Sequence, residues 1–373
     1  MLHYVKKYRV GFPLSFLMAL ILFAAPWAFA SEHGVHSFEH FTIYDIAASE
    51  TGRTAENARS KAVKAASRRA WHALMVKLLA PDDLPYAAVP DASELERMIR
   101  GFDLQDERSS AGRYAARFNF AFDGEQVRLF LDAASLPYAL NGAGRALLLL
   151  VHTDGNGRKL LRGLAEETIL DQTGWRNRLV SYNLPGDRLT DRRNVTVADV
   201  IDGNDKRLNQ IAKLYGSESR LLIRTESEPV DMSGLRAMRF QYDFGPSGPS
   251  GVGTVRGLKG EDDMTLRLRS LASVFDRVDA AFRAELQIYQ NDFGEIQITV
   301  DTPDFESFRL FHETAQALAQ VNSVKVLSVA LPLSRFNLTF SGTSKQLYAA
   351  LQKAGFAIGE SDEMGLRGRA SKQ

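Results

Sequence analysis

Residues Arg145 to Val151 read Arg-Ala-Leu-Leu-Leu-Leu-Val, six apolar side chains in succession after one arginine. Side chains of a strand alternate between its two faces, so a run that is apolar at every position has to be covered on both. That is the inside of a mostly parallel sheet with helices above and below it. The segments downstream fit such a sheet. Lys159 to Leu170 reads as a helix, Arg178 to Asn183 as a strand ending at Pro185-Gly186, Asp205 to Tyr215 as a helix closed by Gly216, and Arg220 to Thr225 as a second strand. Strands alternating with helices make βαβ architecture. A middle α/β domain is therefore expected over residues 145–260, after the linker Asn141-Gly-Ala-Gly144.

An α+β module over 31–140 precedes it. Phe38 to Ala48 reads as a strand, and Gly52 opens a long helix, Thr54 to Leu79. Its inner seam is Ala58, Ala62, Ala65, Ala66, Ala70 and Ala73, widened by Val63, Leu74, Val76 and Leu78, and such small residues let a helix approach a sheet closely. Lys61, Lys64, Arg68, Arg69 and Lys77 are placed away from the seam, as a solvated face. Asp91-Ala-Ser-Glu94 has the spacing of a capping box for a second helix. Phe102 to Arg108 and Arg113 to Phe122 then form an antiparallel pair, with Phe118, Phe120 and Phe122 at period two, and Asp123 to Gln126 starts a last helix. The order is β-α-α-β-β-α.

Beyond the middle domain, Leu235 to Phe244 reads as a strand and Gly245 to Gly260 as a glycine-proline-serine loop. A long amphipathic helix is assigned to 261–292. Residues 293–361 have the order β-α-β-β-α-β of a ferredoxin-like sandwich, with Pro303 at the first position of its first helix and Phe305, Phe308, Phe311 or His312, Ala315 and Leu318 striping that helix. The polar and basic stretch 362–373 is expected to be a flexible tail.

The first thirty residues carry an address. Lys6, Lys7 and Arg9 form a basic head, Leu14 to Ala25 an apolar core, and Ala28-Phe29-Ala30 a small-x-small site before the polar Ser31-Glu32-His33-Gly34. Those are the parts of a secretory signal peptide cut after Ala30. Retention as an uncut anchor is the alternative, opposed by a short core whose start Pro13 interrupts. Removing the three basic residues of the head from 46 leaves 43 against 45 acidic ones, a charge of −2, and so no electrostatic basis for binding nucleic acid. The chain has no cysteine, which excludes disulfides, thiol catalysis, thiolate metal sites and a lipid-anchoring cysteine. The expected location is the periplasm or cell envelope.

Several of these segments carry a likeness. Phe41-Thr-Ile-Tyr-Asp-Ile46, the alanine-rich helix with Trp71-His-Ala-Leu-Met-Val-Lys-Leu-Leu79, Phe118-Asn-Phe-Ala-Phe122 and Leu129 followed by Leu136-Pro137 resemble a family of exported bacterial proteins, a domain of unknown function numbered two thousand and sixty-six. The likeness covers about residues 38 to 152 and thins toward the end. It implies envelope location and brings no catalytic residue with it. The middle part, through Leu208-x-x-Ile211-Ala212-x-x-Tyr215-Gly216 and the apolar strand after it, is similar in element order to the small α/β domain at the amino end of the Tol-Pal translocation protein, and to related domains of secretion and flagellar-base proteins. This is analogy at the level of fold.

Chemical motifs are incomplete. Gly248-Pro-Ser-Gly-Val-Gly253-Thr254 lacks the lysine of a phosphate loop. Asp154-Gly-Asn-Gly157 opens like a calcium loop, but Arg158 and Ala165 stand where ligands belong, and a turn suffices. His312-Glu313 has no second histidine, and His72 and His152 are isolated in apolar settings. Asn194-Val-Thr196 and Asn337-Leu-Thr339 have glycosylation spacing but read as ordinary loop and strand residues in a bacterial export context. No catalytic, cofactor or metal residue is assigned, and the chain is read as a non-enzymatic binding or assembly protein with an envelope protein partner and scope for peripheral membrane contact.

Two alternatives stay open. An enzyme needs carboxylates such as Asp45, Asp154 or Asp301 to converge with a histidine. A terminus beginning Ser31-Glu32-His33 supplies the square-planar nitrogen set that copper(II) or nickel(II) prefers, with His36 and His40 nearby. Copper added to the leader-free chain is then expected to give a d–d absorption band that disappears on His33→Ala.

Overall fold

The computed structural model describes residues 40–359 apart from 140–142, 231, 233, 246–247, 289–292 and 319, together with 366–370. The leader and the Ser31-Glu32-His33 terminus lie outside the described residues. Among the described residues three large sheets follow one another along the chain, each covered by its own helices, and a two-stranded sheet joins the first of them to a later segment, so the class is α/β and α+β.

The first module comprises β1 (Thr42–Thr51), α1 (Ala55–Leu78), α2 (Ala92–Met98), β2 (Ile99–Ser110), β3 (Arg113–Phe122) and α3 (Gly124–Ala133), in the expected β-α-α-β-β-α order. Its antiparallel sheet runs β1-β3-β2. Thr54 caps α1 by accepting from Asn57 N, and the seam Ala58, Ala62, Ala66 and Ala70 is buried against Tyr114, Phe118, Phe120 and Phe122 of β3. Lys61, Lys64, Arg68 and Arg69 are exposed as expected, but Lys77 is buried and Val76 is exposed. The last turn of α1 is enclosed by other elements, and a lysine stem is apolar enough to serve there.

The apolar run becomes β5 (Arg145–Asp154), the middle of the second sheet. Strands β8 (Ser219–Glu228) and β7 (Ser181–Asn183) pair with it in parallel, β6 (Gly157–Leu161) antiparallel, and β9 (Ala237–Asp243) and β10 (Ser250–Arg256) continue beyond β8 in the order β10-β9-β8-β5-β6. Ala146, Leu148 and Leu150 pack under α8 (Asp263–Leu286), against its Leu271, Val274, Phe275 and Val278. Leu147, Leu149 and Val151 pack on the other side against Val195, Val200, Leu208 and Ile211. Val195 is the residue after α5 (Leu189–Asn194), Val200 lies in α6 (Val197–Asp202), and Leu208 and Ile211 lie in α7 (Asp205–Leu214).

Two stretches differ from the sequence expectation here. Residues 159–161 belong to β6, and only α4 (Gly163–Leu170) remains of the expected helix, because Asp154 to Gly157 makes a hairpin turn in which Asp154 Oδ1 accepts from Asn156 N at 2.8 Å. The glycine-rich loop contains β10, in unbroken antiparallel register with β9. Its glycines face aromatic rings, since a Cβ on Gly253 would lie 2.3 Å from Phe240 Cζ. Glycine there makes room for a cross-strand ring rather than for a phosphate.

The third sheet holds β12 (Phe293–Asp301), β13 (Val321–Ser328), β14 (Leu333–Ser341), β15 (Phe356–Gly359) and β16 (Leu366–Ala370), in the order β13-β14-β12-β16-β15. With α9 (Phe305–Ala317) after β12 and α10 (Ser344–Lys353) after β14, the β-α-β-β-α-β order is present. The expected tail contributes β16, which inserts in parallel beside β12 and separates it from β15. Main-chain pairing does not require apolar side chains, so hydropathy could not reveal it. Pro303 precedes α9, whose cap is Asp304 accepting from Ser307 N at 2.7 Å, and Phe305 leaves the buried stripe for the surface.

The three modules meet at α8. Arg283 donates to the carbonyls of Val76 and Lys77 at 3.3 and 3.4 Å, supplying a cation to the C-terminal end of α1. Its neighbour Asp279 accepts from Leu179 N at 3.2 Å and faces Arg178 at 3.5 Å, with Asp276 and Tyr182 close by. Asn177 pairs with both main-chain groups of Tyr44, at 2.7 and 2.9 Å, closing the free edge of β1. Directly after α8, β11 (Gln287–Ile288) pairs with β4 (Tyr138–Ala139) of the first module. Gln346 of α10 donates to Glu285 O and Gln287 O at 2.8 and 3.1 Å.

Burial raises the Asp279 carboxyl to about 6, against the opposing pull of Arg178 and Arg283. A carboxyl that is harder to ionise in the folded state favours folding at low pH, and that contribution is lost as pH rises from about 4 through about 6. Asp279→Asn removes the titration. The stability difference between the original chain and the variant, followed by denaturant unfolding from pH 4 to 7, is expected to move by up to about 3 kcal/mol in favour of the variant.

Candidate functional site

Ligand sites of open α/β sheets lie beyond the carboxyl ends of their parallel strands. In the middle sheet those ends bring together His152 of β5 and Thr225 and Ser227 of β8, and the first turns of α8 add Asp263 and Arg267. His152 Nδ1 lies 2.9 Å from Thr225 Oγ1, and its Nε2 lies 3.9 Å from Asp263 Oδ2. Ser227 Oγ donates to Asp263 Oδ2 at 3.0 Å, and Arg236 reaches Oδ1 at 3.3 Å. Arg267 forms a 3.0 Å ion pair with Glu166 of α4, both side chains being buried.

Hydroxyl, imidazole and carboxylate in sequence invite comparison with a nucleophile and its base. Burial holds the imidazole below the usual histidine range, and the nearby Arg267 guanidinium adds to this against the weaker opposite pull of Asp263 and Asp154. A neutral ring facing a hydroxyl is the correct protonation state for a base. Access is the difficulty. Thr225 is 3% exposed, and the adjacent groove is lined by Glu228, Pro229, Leu235, Arg236, Ala237, Thr254 and Arg256, so Arg236 alone belongs to both places. The cluster as built cross-links β5, β8, α4 and α8.

The carboxylates singled out in the sequence are scattered. Asp45, at a positive φ of 62° in β1, pairs with Arg117 of β3. Asp154 holds the β5–β6 turn, and Asp301 lies in β12 of the third sheet. Only Asp154 shares a module with His152. The carboxylate that approaches this imidazole, Asp263, reads in sequence as an ordinary first-turn residue after the cap Asp262. The one hint was positional: His152 ends an apolar strand.

His72 is exposed, and His312 stacks on Phe308 beside the Arg309–Glu313 pair. His40, offered as an added copper ligand, is buried with Nε2 3.0 Å from Ala139 O, which occupies one of its two nitrogens. Among the described residues no group of three or more His, Asp or Glu side chains is placed to hold a metal. Among the described residues no helix is long and apolar enough to cross a membrane.

Fold and site together define a multi-module α/β and α+β protein with a closed polar cluster at its central strand ends. No family model matches the chain, and no curated protein matches it.

The buried Glu166–Arg267 pair makes a measurable statement. Arg267→Met leaves a carboxylate without its counter-charge and is expected to cost about 3 to 5 kcal/mol of stability at pH 8. The double variant Glu166→Gln, Arg267→Met, compared with it by urea unfolding, is expected to recover most of that loss, because no unpaired charge stays buried.

Proposed function

We propose that this is an exported, non-enzymatic binding or assembly protein of the cell envelope, and that its third module docks a protein partner. One observation carries this. Phe305, Leu327, Val329, Leu331 and Leu333 are between 42% and 66% exposed, and they cluster at one end of that module. The clustering is fixed by the sheet. Asp301 at the end of β12 pairs with Leu333 at the start of β14, and Thr302 N donates to Pro332 O at 2.6 Å, so α9 begins beside the β13–β14 turn. Contiguous apolar surface of this kind marks interaction sites on soluble domains.

Export rests on the leader, and kinship with the exported family rests on the residues quoted for it. The burial of the hydroxyl that faces His152, Thr225 at 3% exposed, supports a non-enzymatic role.

Peripheral membrane contact is the second reading, favoured by a turn that is apolar on consecutive positions and hence on both faces. Against it, Asp304 and Glu306 flank Phe305 and would meet an anionic headgroup layer unfavourably.

A photo-crosslinking residue at position 331, in cells, is expected to give an adduct of defined mass that the same residue at the exposed position 189 does not give. Adding Leu327→Asp is expected to abolish it. Equal labelling from both positions would overturn the proposal. Flotation of the purified chain with phosphatidylglycerol vesicles, lost in the Leu327→Asp, Leu331→Asp variant, would establish the membrane reading instead.

A further inference from the structure

A second surface lies at the other end of the middle sheet and is independent of the apolar end of the third module. Strand β10 closes the sheet order at one edge, and among the described residues no strand pairs with its outer side. The outermost strands in the order of the three large sheets are otherwise blunted. Asn177 covers part of β1, and β2 carries two register breaks and the charges Arg100, Asp103, Asp106, Glu107 and Arg108. In the third sheet β13 also has two breaks, and β15 has four residues. At the far edge of the middle sheet β6 has five residues, including Arg158 and Lys159. These are the usual defences of an edge against pairing with another chain.

Strand β10 has none of them over Ser250–Val255. Its register with β9 is regular for seven residues, and its first charged side chain is Arg256. Among the described residues the only hydrogen bond to its main chain from outside β9 is from Arg269 Nη1 to Arg256 O, at 3.4 Å. The inner face is already filled, with Gly251 and Gly253 under the rings of Tyr242 and Phe240. Recognition therefore falls to the outer face, where Val252, Thr254 and Arg256 point alternately with the glycines. Val252 is 69% exposed.

Charge decides what fits. A groove of about 540 Å³ runs along Thr254 and Arg256 to Arg236 and Glu228. Glu228 is held by Arg239 at 2.8 Å, Arg236 by Asp263 at 3.3 Å, and the neighbouring Arg269 by Glu261 at 2.6 Å. The Arg256 guanidinium has no hydrogen-bond or ion-pair partner among the described residues, which leaves one side-chain cation in surplus at the groove. We propose that β10 is a docking edge for an extended peptide segment that adds as a further strand and delivers a carboxylate side chain to Arg256. Residues opposite one another across a strand pair are copied in spacing. Val252 and Arg256 lie four apart on one face, so the segment carries an apolar side chain and an Asp or Glu four positions apart.

The test selects binders from a displayed library of random peptides on the immobilised full chain, then measures the affinity of the enriched peptides for Val252→Lys and Arg256→Glu. Both substitutions are at exposed positions, and far-UV circular dichroism with thermal unfolding checks that each variant is folded. Enriched peptides are expected to show the apolar–acidic spacing, to lose binding to Val252→Lys because a lysine obstructs the edge, and to weaken about tenfold or more on Arg256→Glu, the size of one charge-assisted hydrogen bond. Peptides that depend on Val252 but carry no acidic residue would overturn the carboxylate assignment while keeping the edge. Peptides insensitive to both variants, or none enriched, would overturn the proposal altogether and leave the docking reading of the third module standing.

Discussion

Arg283 is the point on which the arrangement of the three modules turns. Its guanidinium reaches two carbonyls at the end of α1, and the backbone that carries it is the helix covering the middle sheet. Helix ends leave carbonyls without intrahelical partners, so a cation from another module satisfies α1 and binds the two units with the same atoms. One turn earlier Asp279 engages Leu179 N and faces Arg178, fixing the helix to the loop before β7. After the last turn the chain pairs with β4, and its carbonyls receive Gln346 of the third module. A segment whose sequence suggests an independent amphipathic helix is thus the common neighbour of all three sheets. Amphipathic periodicity shows that a helix has a buried side, but it is silent on which surface covers that side.

What the sequence revealed of the fold follows the range of the interactions concerned. The alanine seam of α1 and the run in β5 were legible because burial on one or both faces dictates composition directly, at every position of the element. Strand β10 was not, because the glycines that look like loop residues are explained only by Phe240 and Tyr242 on the neighbouring strand. Lys159 to Leu161 continue into a true helix, and nothing local separates hairpin from helix there except the turn at Asp154. Lys77 belongs to the same class of error: its position around the helix is polar by pattern, yet α8 encloses the last turn of α1.

The His152 cluster was legible in one member out of several. A histidine at the end of an apolar strand can be seen in the sequence, whereas Thr225, Asp263, Arg267 and Glu166 lie between fourteen and a hundred and fifteen residues from it and meet it or one another only through the βαβ topology. The carboxylates that chemistry made attractive, Asp45 and Asp301, are placed in other sheets by the same topology. Residue type identifies what a side chain can do. Strand order decides whom it meets.

Polar chemistry in this molecule divides by location. At the strand ends and along α8, hydroxyls, carboxylates and guanidinium groups are turned on one another, as in Thr225 with His152, Ser227 and Arg236 with Asp263, and Arg267 with Glu166. Groups committed in this way have little left to offer a substrate, because rebinding them to an incoming molecule means breaking buried pairs whose loss is costly. At the periphery the situation reverses: apolar side chains around Leu331 and a lone guanidinium at Arg256 face solvent with their capacity unspent. A surface that leaves groups uncommitted at its edges while pairing charges and hydroxyls at its centre is suited to holding other macromolecules, and the rigidity of the cross-linked centre is what would keep two such edges at a fixed distance from each other.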